Sequence, residues 1–486
     1  MIDVKLDSPL ANSTAAVDAE YDLVIVGCGE GGKYLAWTLA KQDMRVLVVE
    51  RGYIGGSCPN IACLPTKNLI HSAKVASYVT RRNEFGITAE SVRISMSDVR
   101  ERKRKMVDEL VTLHLNNFKS SGATLAIGSA RFVAPKTLEI TRQDGAIQLT
   151  HGDKVIIGTG SRAAFPDLPG LKQSRAMTHV EALELDEIPN HLLILGGGYV
   201  GLEFAQAIRR FGSHVTVIDH NRALMHHEDP DFSDALRDLF TDEEINLSLG
   251  TRVSKVEGTS GDSVRLHVHE GGSKRSIDGS HLLISTGRVP NTESLALDTA
   301  GIAVTSEGFI RVDERLRTSA PDVWAVGDCK GGPAFTHISY DDFRVVRDDI
   351  LGFHRVTTAR QIPFCMFTDP EFARVGLSET EAIAQGISYR LARVPMSSVL
   401  RTRTLSETRG FMKALIASDS DRILGFTVFG TGAGEIMGAV QIAMIGGLPY
   451  TAVRDAIITH PTLLEGLIPL FSTVPPVPRT GHQESN

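Results

Sequence analysis

Two cysteines five positions apart are the residues of this sequence most able to do chemistry. They are Cys58 and Cys63, in the stretch GGSCPNIACLPTK that runs from Gly55 to Lys67. Five positions of a regular helix rise by about 7.5 Å, which exceeds the roughly 4.4 to 6.8 Å between the α-carbons of a disulfide. We therefore expect an irregular turn at this point and a redox-active disulfide between the two residues.

The residues after the pair predict a helix that opens close to the second cysteine. Pro65 is tolerated only in a first helical turn, so we expect a helix from about Leu64 to Ala76. Cys63 then lies at the positive helix end, where a thiolate is stabilised, and Lys67 adds a positive charge one turn later. A structural disulfide and half of a zinc site are the alternatives. Both are disfavoured, because the other three cysteines stand singly and nothing in the sequence indicates an oxidising compartment.

Composition limits the class of protein. The chain has 486 residues, of which 42% are apolar and 22% charged, so we expect an enzyme of two or three domains. The net charge of -7 argues against a nucleic-acid partner. The first twenty residues lack the basic start and apolar core of a signal peptide and are interpreted as a disordered tail. The sequence contains no run of eighteen apolar residues, so it predicts no membrane span. We expect a cytoplasmic protein.

A first dinucleotide-binding fingerprint precedes the cysteines. The strand YDLVIVG leads into a glycine-rich turn, a helix to about Gln42 and the strand RVLVVE, which ends at Glu50. Such glycines let the backbone approach a pyrophosphate at the helix N-terminus, and the acid accepts hydrogen bonds from an adenosine ribose. The glycines in G-x-G-x-x-G spacing are Gly27, Gly29 and Gly32.

A second fingerprint follows in the middle of the chain. Strand HLLILG, the glycines and a helix to about Phe211 lead into the strand HVTVID, which ends at Asp219. Two such sites, one beside a cysteine pair, predict a flavin near the thiols and a nicotinamide nucleotide that delivers electrons. Asp219 favours NADH because it repels a 2′-phosphate, while Arg222 keeps NADPH open. The glycines are Gly196, Gly198 and Gly201.

Three further stretches connect the two sites. VIIGTGSRAAFPDLPG contains the turn Thr159-Gly160 and marks a domain boundary, and LLISTGRVPN repeats this exit with Gly287. Asp328 follows the buried strand VWAVG, where a carboxylate could hold the ribityl hydroxyls of a flavin. Residues 72–121 are predicted to be mainly helical, with the charged run RERKRK as a solvated face.

The C-terminal part predicts a third domain. FCMFT, FMKALIA and ILGFTVFG are strand-like, and GEIMGAVQIAMIGG is helix-like. In HPTLLE, Pro461 is expected to begin a helix. His460 in front of it is read as a cap or packing residue or as a catalytic base, with Glu465 placed to hold the other ring nitrogen.

Taken together, these motifs resemble the class I pyridine nucleotide-disulfide oxidoreductases, which include dihydrolipoamide dehydrogenase, glutathione reductase and mercuric reductase. The resemblance runs from about Tyr21 to Phe471. Segments such as FTHISYDDFRVVRDDILG resemble the mercuric-reductase-like branch, and especially the copper reductases of reactive-chlorine resistance. The vicinal C-terminal cysteine pair and the N-terminal metal-binding domain of mercuric reductases do not occur here, so a disulfide is as suitable an acceptor as a metal ion.

The resemblance implies roles for individual residues. Cys58 is the interchange thiol that attacks the substrate, and Cys63 is the charge-transfer thiol beside the flavin. His460, supported by Glu465, is the acid and base for Cys58 of the other subunit of a homodimer. The residues implied to act at the flavin are Lys67 and Glu203, as an ion pair near its N5, and Tyr199, which covers the ring until the nicotinamide arrives.

The resemblance also assigns the cofactor sites and implies no resident metal ion. The residues expected to bind FAD are Gly27, Gly29, Gly32, Glu50, Gly56, Ser57, Lys67, Thr159, Gly160 and Asp328. The residues expected to bind NAD(P) are Gly196, Gly198, Gly201, Asp219 and Gly287.

The expected fold class is α/β, with two Rossmann-like dinucleotide-binding domains and a C-terminal α+β dimerisation domain. The predicted boundaries are 1–20 for a tail, 21–160 with 285–350 for a discontinuous FAD domain, 161–284 for the NAD(P) domain, 351–472 for the interface domain and 473–486 for a second tail. We expect an FAD-dependent enzyme that passes electrons from NAD(P)H through the disulfide to a disulfide or a thiophilic metal ion. A lipoamide- or glutathione-type disulfide reductase and a non-enzymatic flavin-bearing sensor are the alternatives.

Overall fold

A computed structural model describes residues 17–477 of the chain. The expected tails therefore lie outside the described residues, apart from their inner ends. The sequence predicts an N-terminal tail that reaches residue 20. This is wrong for residues 19 and 20, because the first strand begins at Ala19. The reason is backbone pairing, because the N–H of Asp18 donates to Leu149 O at 2.8 Å and Ala19 pairs with Thr150.

The described residues divide into two compact units, each made of several chain segments. The first unit contains residues 17–66, 101–164 and 287–360, and the second contains 67–100, 165–286 and 361–477. The first unit is thus discontinuous in sequence. The domain boundaries derived from the sequence divide the chain more finely, and they stay a proposal.

The first unit is built on a six-stranded sheet. Its parallel part pairs Ala19–Val26 with Val46–Glu50 and with Ile147–Ile157. Alternate residues of these apolar strands enter two cores on opposite faces: Leu23 and Ile25 belong to one core, and Val24 and Val26 belong to the other. The other strands of this sheet are Thr124–Ala134, Thr137–Arg142 and Val323–Ala325, and a separate antiparallel pair is formed by Ser161–Ala163 and Arg288–Pro290.

Helices flank this sheet. The first begins directly after the glycine-rich turn and ends at Ala40, two residues before the predicted end. The predicted helical region 72–121 is interrupted, because Gly86 takes a left-handed conformation (φ 70°) that ends the turn before it. The α-helices that contribute to the first unit are Glu30–Ala40, Ser57–Asn60, Cys63–Thr80, Met96–Ser121 and Thr336–Ile350. The 3₁₀ turns are Leu297–Ala300, Gly327–Lys330 and Thr357–Ala359. Two of the helices, Cys63–Thr80 and Met96–Ser121, continue into residues of the second unit.

The second unit contains a second parallel sheet of similar design. Strand His191–Leu195 lies between His281–Ile284 and His214–Ile218, with Asn246–Ser248 at the edge. Leu202 and Phe204 of the following helix pack into the core below it. The remaining elements of this part are the antiparallel strands Thr251–Thr259, Ser263–Glu270 and Ser273–Gly279, the helices His179–Ala182, Tyr199–Arg210 and Pro230–Asp242, and the 3₁₀ turn Arg82–Phe85.

The C-terminal part of the second unit is a five-stranded antiparallel sheet. Three of its strands were expected, whereas Glu371–Gly376 and Tyr389–Pro395 were not identified in the sequence. In sheet order the strands are Phe364–Met366, Glu371–Gly376, Ile423–Gly430, Phe411–Ala417 and Tyr389–Pro395. The helices are Glu379–Ala384, Leu400–Leu405, Ala433–Ile445, Tyr450–Arg454 and Leu467–Ser472, with the 3₁₀ turns Met396–Ser398 and Leu464–Gly466. Among residues 17–477, no helix is both long enough and apolar enough to span a membrane.

Candidate active site

The two cysteines lie on either side of a break between two helices. Cys58 is the second residue of the short helix Ser57–Asn60, and Cys63 is the first residue of Cys63–Thr80. The break is held by Asn60, whose Nδ2 donates to Ile54 O at 2.9 Å and to Gly56 O at 2.7 Å. The irregular turn between the cysteines is therefore present. The second helix begins one residue before the predicted Leu64 and extends four residues beyond Ala76.

The thiols of Cys58 and Cys63 are hydrogen-bonded to each other. This hydrogen bond and burial raise the pKa of Cys58 well above its usual range. Thr336 opposes the increase, because its hydroxyl hydrogen-bonds Cys58 and lies 3.1 Å from Cys63 Sγ. Thr336 was not identified in the sequence. The signal that could have found it is a hydroxyl residue opening the helix that follows the strand Val323–Ala325.

The glycines of the first fingerprint are needed for different structural reasons. A Cβ on Gly27, whose φ is +102°, would lie 2.4 Å from Gly158 O, and one on Gly32 would lie 2.4 Å from Gly27 O. Gly29 has no such neighbour, and it precedes the helix without a side-chain cap. A Cβ on Gly56 would lie 2.6 Å from Gly29 Cα. The turn after the first strand therefore lies directly against the cysteine loop.

This turn and its surroundings fit the pyrophosphate of FAD. Gly29 gives the helix Glu30–Ala40 no side-chain cap, although the N–H of Gly31 donates to the Ser339 hydroxyl at 3.1 Å. A Cβ on Gly29 would meet only Gly158 O, at 3.7 Å, so the turn presents bare backbone there. Glu50 is positioned by three backbone N–H groups: that of Cys28 at 2.8 Å, that of Gly52 at 2.8 Å and that of Tyr53 at 3.0 Å. Its carboxylate fastens the glycine turn to the end of the second strand.

The remaining residues expected at FAD lie in the same unit, except for Lys67. Ser57 opens the short helix of the cysteine loop. Asn291 fixes the turn after Ile147–Ile157, because its Nδ2 donates to Thr159 O at 3.0 Å and its N–H donates to Gly160 O at 3.0 Å. Asp328 accepts a hydrogen bond from the Ser161 hydroxyl at 2.5 Å.

The second fingerprint repeats this arrangement. A Cβ on Gly196 would lie 2.5 Å from Ser285 O and one on Gly201 2.2 Å from Gly196 O, whereas Gly198 faces open space. Asp219 accepts from the N–H of Gly197 at 2.6 Å, just as Glu50 accepts from Cys28. Its other oxygen accepts two hydrogen bonds from Asn221, at 2.7 and 2.9 Å.

Gly287 is assigned to a different unit from the other residues expected to bind NAD(P). It belongs to the first unit, where its carbonyl accepts from the N–H of Ala164 at 2.9 Å. A φ of +122° explains the glycine at this position. Its assignment to NAD(P) stays a prediction.

Lys67 and Glu203 form an ion pair, with Lys67 Nζ 2.8 and 3.1 Å from the two carboxylate oxygens. Glu203 is buried, and it also accepts from the N–H of Phe367 at 2.9 Å. Tyr199 begins the helix that carries Glu203, and its ring meets Phe364 edge to face at 6.1 Å. Burial raises the pKa of Tyr199, so the phenol stays protonated.

His460 and Glu465 are in contact, with 2.9 Å between Nδ1 and the carboxylate. The His460 side chain is 66% exposed, whereas that of Glu465 is 15% exposed. The prediction that Pro461 begins a helix is wrong, because the first turn begins at Leu464. Thr462 organises this segment instead: its hydroxyl donates to Thr459 O at 2.8 Å and accepts from the N–H of Glu465 at 3.3 Å.

The three other cysteines are chemically quiet. Burial raises the pKa of Cys28 to about 12 and that of Cys329 to about 11. Burial also raises the pKa of Cys365 above its usual range. Within residues 17–477, no three His, Cys, Asp or Glu side chains come together in a way that could hold a metal ion.

Two family models match the chain. The model for pyridine nucleotide-disulphide oxidoreductases matches residues 21–342, and the model for the dimerisation domain of these enzymes matches residues 362–469. The fold class expected from the sequence is thereby confirmed, and so is the resemblance to this family.

Individual relatives are similar in sequence over nearly the whole chain. A probable pyridine nucleotide-disulfide oxidoreductase of Escherichia coli, RclA, is 35% identical, with 94% of this chain and 99% of the relative covered. The mercuric reductase of Bacillus cereus is 31% identical, with 92% of this chain and 70% of that protein covered. The structure of the Cu(II) complex of E. coli RclA is similar with a TM-score of 0.86 and 34% identity, covering 93% of this chain and 99% of that one.

The matched family agrees with the features described above. These are the two glycine turns, the helix that follows each turn without a side-chain cap from its N-cap glycine, and the cysteine loop that lies against the first glycine turn. The chain therefore belongs to the pyridine nucleotide-disulphide oxidoreductases, enzymes that use FAD to pass electrons from NAD(P)H to a disulfide.

Proposed function

We propose that Cys58 and Cys63 are the redox-active pair of this enzyme and that they reduce a thiophilic acceptor. The observation that carries the proposal is that the two thiols are hydrogen-bonded to each other in a loop packed against the first glycine turn. Such a dithiol gives up two electrons and two protons when its S–S bond forms. FAD held at the first glycine turn would supply the route by which an electron pair from NAD(P)H restores the dithiol from the disulfide.

The two thiols are proposed to have different roles. Cys63 opens a helix of 18 residues, and the positive end of a helix of this length stabilises a thiolate. It is the thiol we assign to the flavin. Cys58 lies on the short preceding helix, where its raised pKa keeps it protonated, and we assign it the attack on the acceptor. Cys58 therefore needs a base.

We propose that this base is His460 of the other subunit of a homodimer. Two observations support it: the His460 imidazole is exposed while Glu465 holds its Nδ1 at 2.9 Å, and residues 362–469 match a dimerisation domain. A carboxylate on Nδ1 fixes the tautomer, so that Nε2 is available to accept a proton. We further propose that Lys67 with Glu203 acts beside the isoalloxazine ring and that Tyr199 covers it.

NADH is the proposed electron donor. Asp219 lies at the end of the second strand of its fingerprint, where a carboxylate binds the ribose diol and repels a 2′-phosphate. Arg222 keeps some use of NADPH open. We also propose a cytoplasmic location, because the sequence has only five cysteines and, apart from Cys58 and Cys63, they stand singly, which gives no framework of structural disulfides.

The acceptor we favour is a thiophilic metal ion, namely copper(II) or mercury(II). The support is that the E. coli RclA structure contains Cu(II) and that mercuric reductases are among the relatives. One dithiol reduces two copper(II) ions to copper(I) as its S–S bond forms. The second candidate is a lipoyl- or glutathione-like disulfide, which one dithiol converts into two thiols by exchange.

The test is anaerobic turnover with NADH and four acceptors: copper(II), mercury(II), lipoamide and glutathione disulfide. We expect copper(II) or mercury(II) to be reduced with the highest kcat/KM and Cys58→Ser to lose this activity while NADH still reduces its flavin. Cys329→Ser is the control, because its thiol donates to Ile157 O and Val326 O and hydrogen-bonds Thr159, contacts that a hydroxyl can also make. Undiminished acceptor turnover by Cys58→Ser contradicts the proposed role of the pair. Preference for a disulfide selects the second candidate.

A further inference from the structure

The ion pair between Lys67 and Glu203 is held from one side by a short segment of chain. Phe367 contacts both partners: its backbone N–H donates to Glu203 at 2.9 Å, and its ring centre lies 4.7 Å from Lys67 Nζ. Both contacts add to the ion pair, because an aromatic face attracts a cation and a backbone amide donates to a carboxylate. The position of Phe367 therefore sets the geometry of the pair.

One face of the helix Tyr199–Arg210 binds the segment that contains Phe367 and Asp369. Residues 203, 206 and 210 are spaced by three and four positions, so their side chains share a face. Gln206 accepts from the N–H of Asp369 at 2.7 Å and donates to its carbonyl at 2.8 Å. Arg210 also donates to that carbonyl, at 3.1 Å. The segment that carries Phe367 is thus bound by backbone contacts at residues 367 and 369.

Asp369 joins this segment to the helix that carries Lys67. Its carboxylate lies 2.9 Å from Lys74 Nζ and 2.6 Å from Arg210 Nη1. Lys74 is seven positions after Lys67 and Arg210 is seven positions after Glu203, so the same two helices are bridged twice, two turns apart. Asp369 is buried, and although burial opposes ionisation, Arg210 and Lys74 lower its pKa.

We propose that Asp369 is a positioning residue for the Lys67–Glu203 pair. By binding Lys74 and Arg210 together, it fixes the register of the two helices and holds Phe367 against both members of the pair. Loss of the Asp369 charge removes the carboxylate that joins the half-buried Lys74 to Arg210, and it leaves the segment held by its backbone hydrogen bonds alone. The inference rests on the proposed function, in which Lys67 and Glu203 act during reduction of the flavin by NADH.

The test compares Asp369→Asn with Asp229→Asn. Asp229 is a matched control in the same unit: it is equally buried, its pKa is also lowered, and it binds the buried Lys413 at 2.7 Å. Both variants are purified with FAD bound. Their thermal midpoints and their rates of anaerobic flavin reduction by NADH are then measured in a stopped-flow instrument. We expect similar losses in midpoint, but a decrease of about 10- to 100-fold in reduction rate for Asp369→Asn alone.

A double-mutant cycle with Glu203→Gln shows whether Asp369 acts through the pair. In that background Asp369→Asn should have little further effect on the reduction rate, because coupled residues are not additive. Equal reduction rates in the two Asp→Asn variants, or full additivity in the cycle, overturn the proposal. If Asp369→Asn fails to fold, Lys74→Met replaces it, and a wild-type reduction rate in Lys74→Met then overturns the proposal. A wild-type protein whose flavin NADH does not reduce would contradict the proposed function instead.

Discussion

The hydroxyl of Thr336 offers a quantitative test of how the thiol pair is activated. It lies 3.1 Å from Cys63 Sγ and also hydrogen-bonds Cys58. When one thiol ionises, this hydroxyl can donate to the thiolate. A hydrogen bond to a charged group contributes about 1.5 to 3 kcal/mol, which corresponds to about one to two pKa units. Thr336→Val should therefore raise the first pKa of the pair by about one to two units.

The assay is a pH titration of the two-electron-reduced enzyme, followed at long wavelength. A thiolate beside an oxidised flavin gives a broad charge-transfer band, and the band appears as the pair loses its first proton. In Thr336→Val the midpoint of this band should move to higher pH by one to two units, and acceptor turnover at neutral pH should decrease accordingly. The two thiols titrate together, so the midpoint belongs to the pair and not to one cysteine.

Thr336→Ser is the matched control, because it keeps the hydroxyl and removes only a methyl group. Its midpoint should stay within about 0.3 units of the wild type, a change of only about 0.4 kcal/mol. If Thr336→Val and Thr336→Ser titrate alike, the hydroxyl does not stabilise the thiolate and the reasoning is wrong. A normal flavin spectrum in both variants shows that the cofactor site is intact.

Three further outcomes are expected. Wild-type enzyme should have a higher kcat/KM for NADH than for NADPH, and Asp219→Ala should narrow the ratio; a wild-type preference for NADPH contradicts the assignment. Mixed dimers of Cys58→Ser and His460→Ala should regain activity after subunit exchange, since one site of each hybrid keeps both residues, and confirmed exchange without activity disproves the shared site. Lys413→Met should destabilise the fold by about 3 to 5 kcal/mol in urea unfolding, because Lys413 is fully buried among three carboxylates. Burial opposes the ionisation of Asp229, but hydrogen bonds from Lys413 and Thr380 lower its pKa from 3.8 to about 2. The wild type should therefore lose about 2 kcal/mol of stability as the pH falls from about 4 to 2, and Lys413→Met should lose less.

The sequence by itself determined the local chemistry of the two fingerprints. Each consists of a strand that is apolar on both faces, a glycine turn and an acid at the end of the next strand. These features depend on neighbours close in sequence, and for that reason they could be identified without a structure. The same holds for the break between the cysteines, since five helical positions are too long for a disulfide. It also holds for Glu465, which lies close enough in sequence to His460 to reach its ring.

Contacts between distant segments were decided only by the tertiary structure. Thr336 meets Cys63 across 273 positions of sequence, and Asp369 meets Arg210 across 159. No spacing rule relates such residues, because their approach depends on how strands and helices pack. The strand Glu371–Gly376 was missed for a related reason: Arg374 within it is charged but buried, and it becomes tolerable only through its ion pairs with Glu228 and Glu381.

The segment around His460 shows the same limit at short range. A proline after a polar residue is a common helix start, and the sequence therefore predicted a helix from Pro461. In the structure the Thr462 hydroxyl binds Thr459 O and the N–H of Glu465, which delays the first turn to Leu464. The sequence contains the hydroxyl, but the choice between two local hydrogen-bond patterns depends on the packing of the chain that follows, where Leu467 is buried in the core.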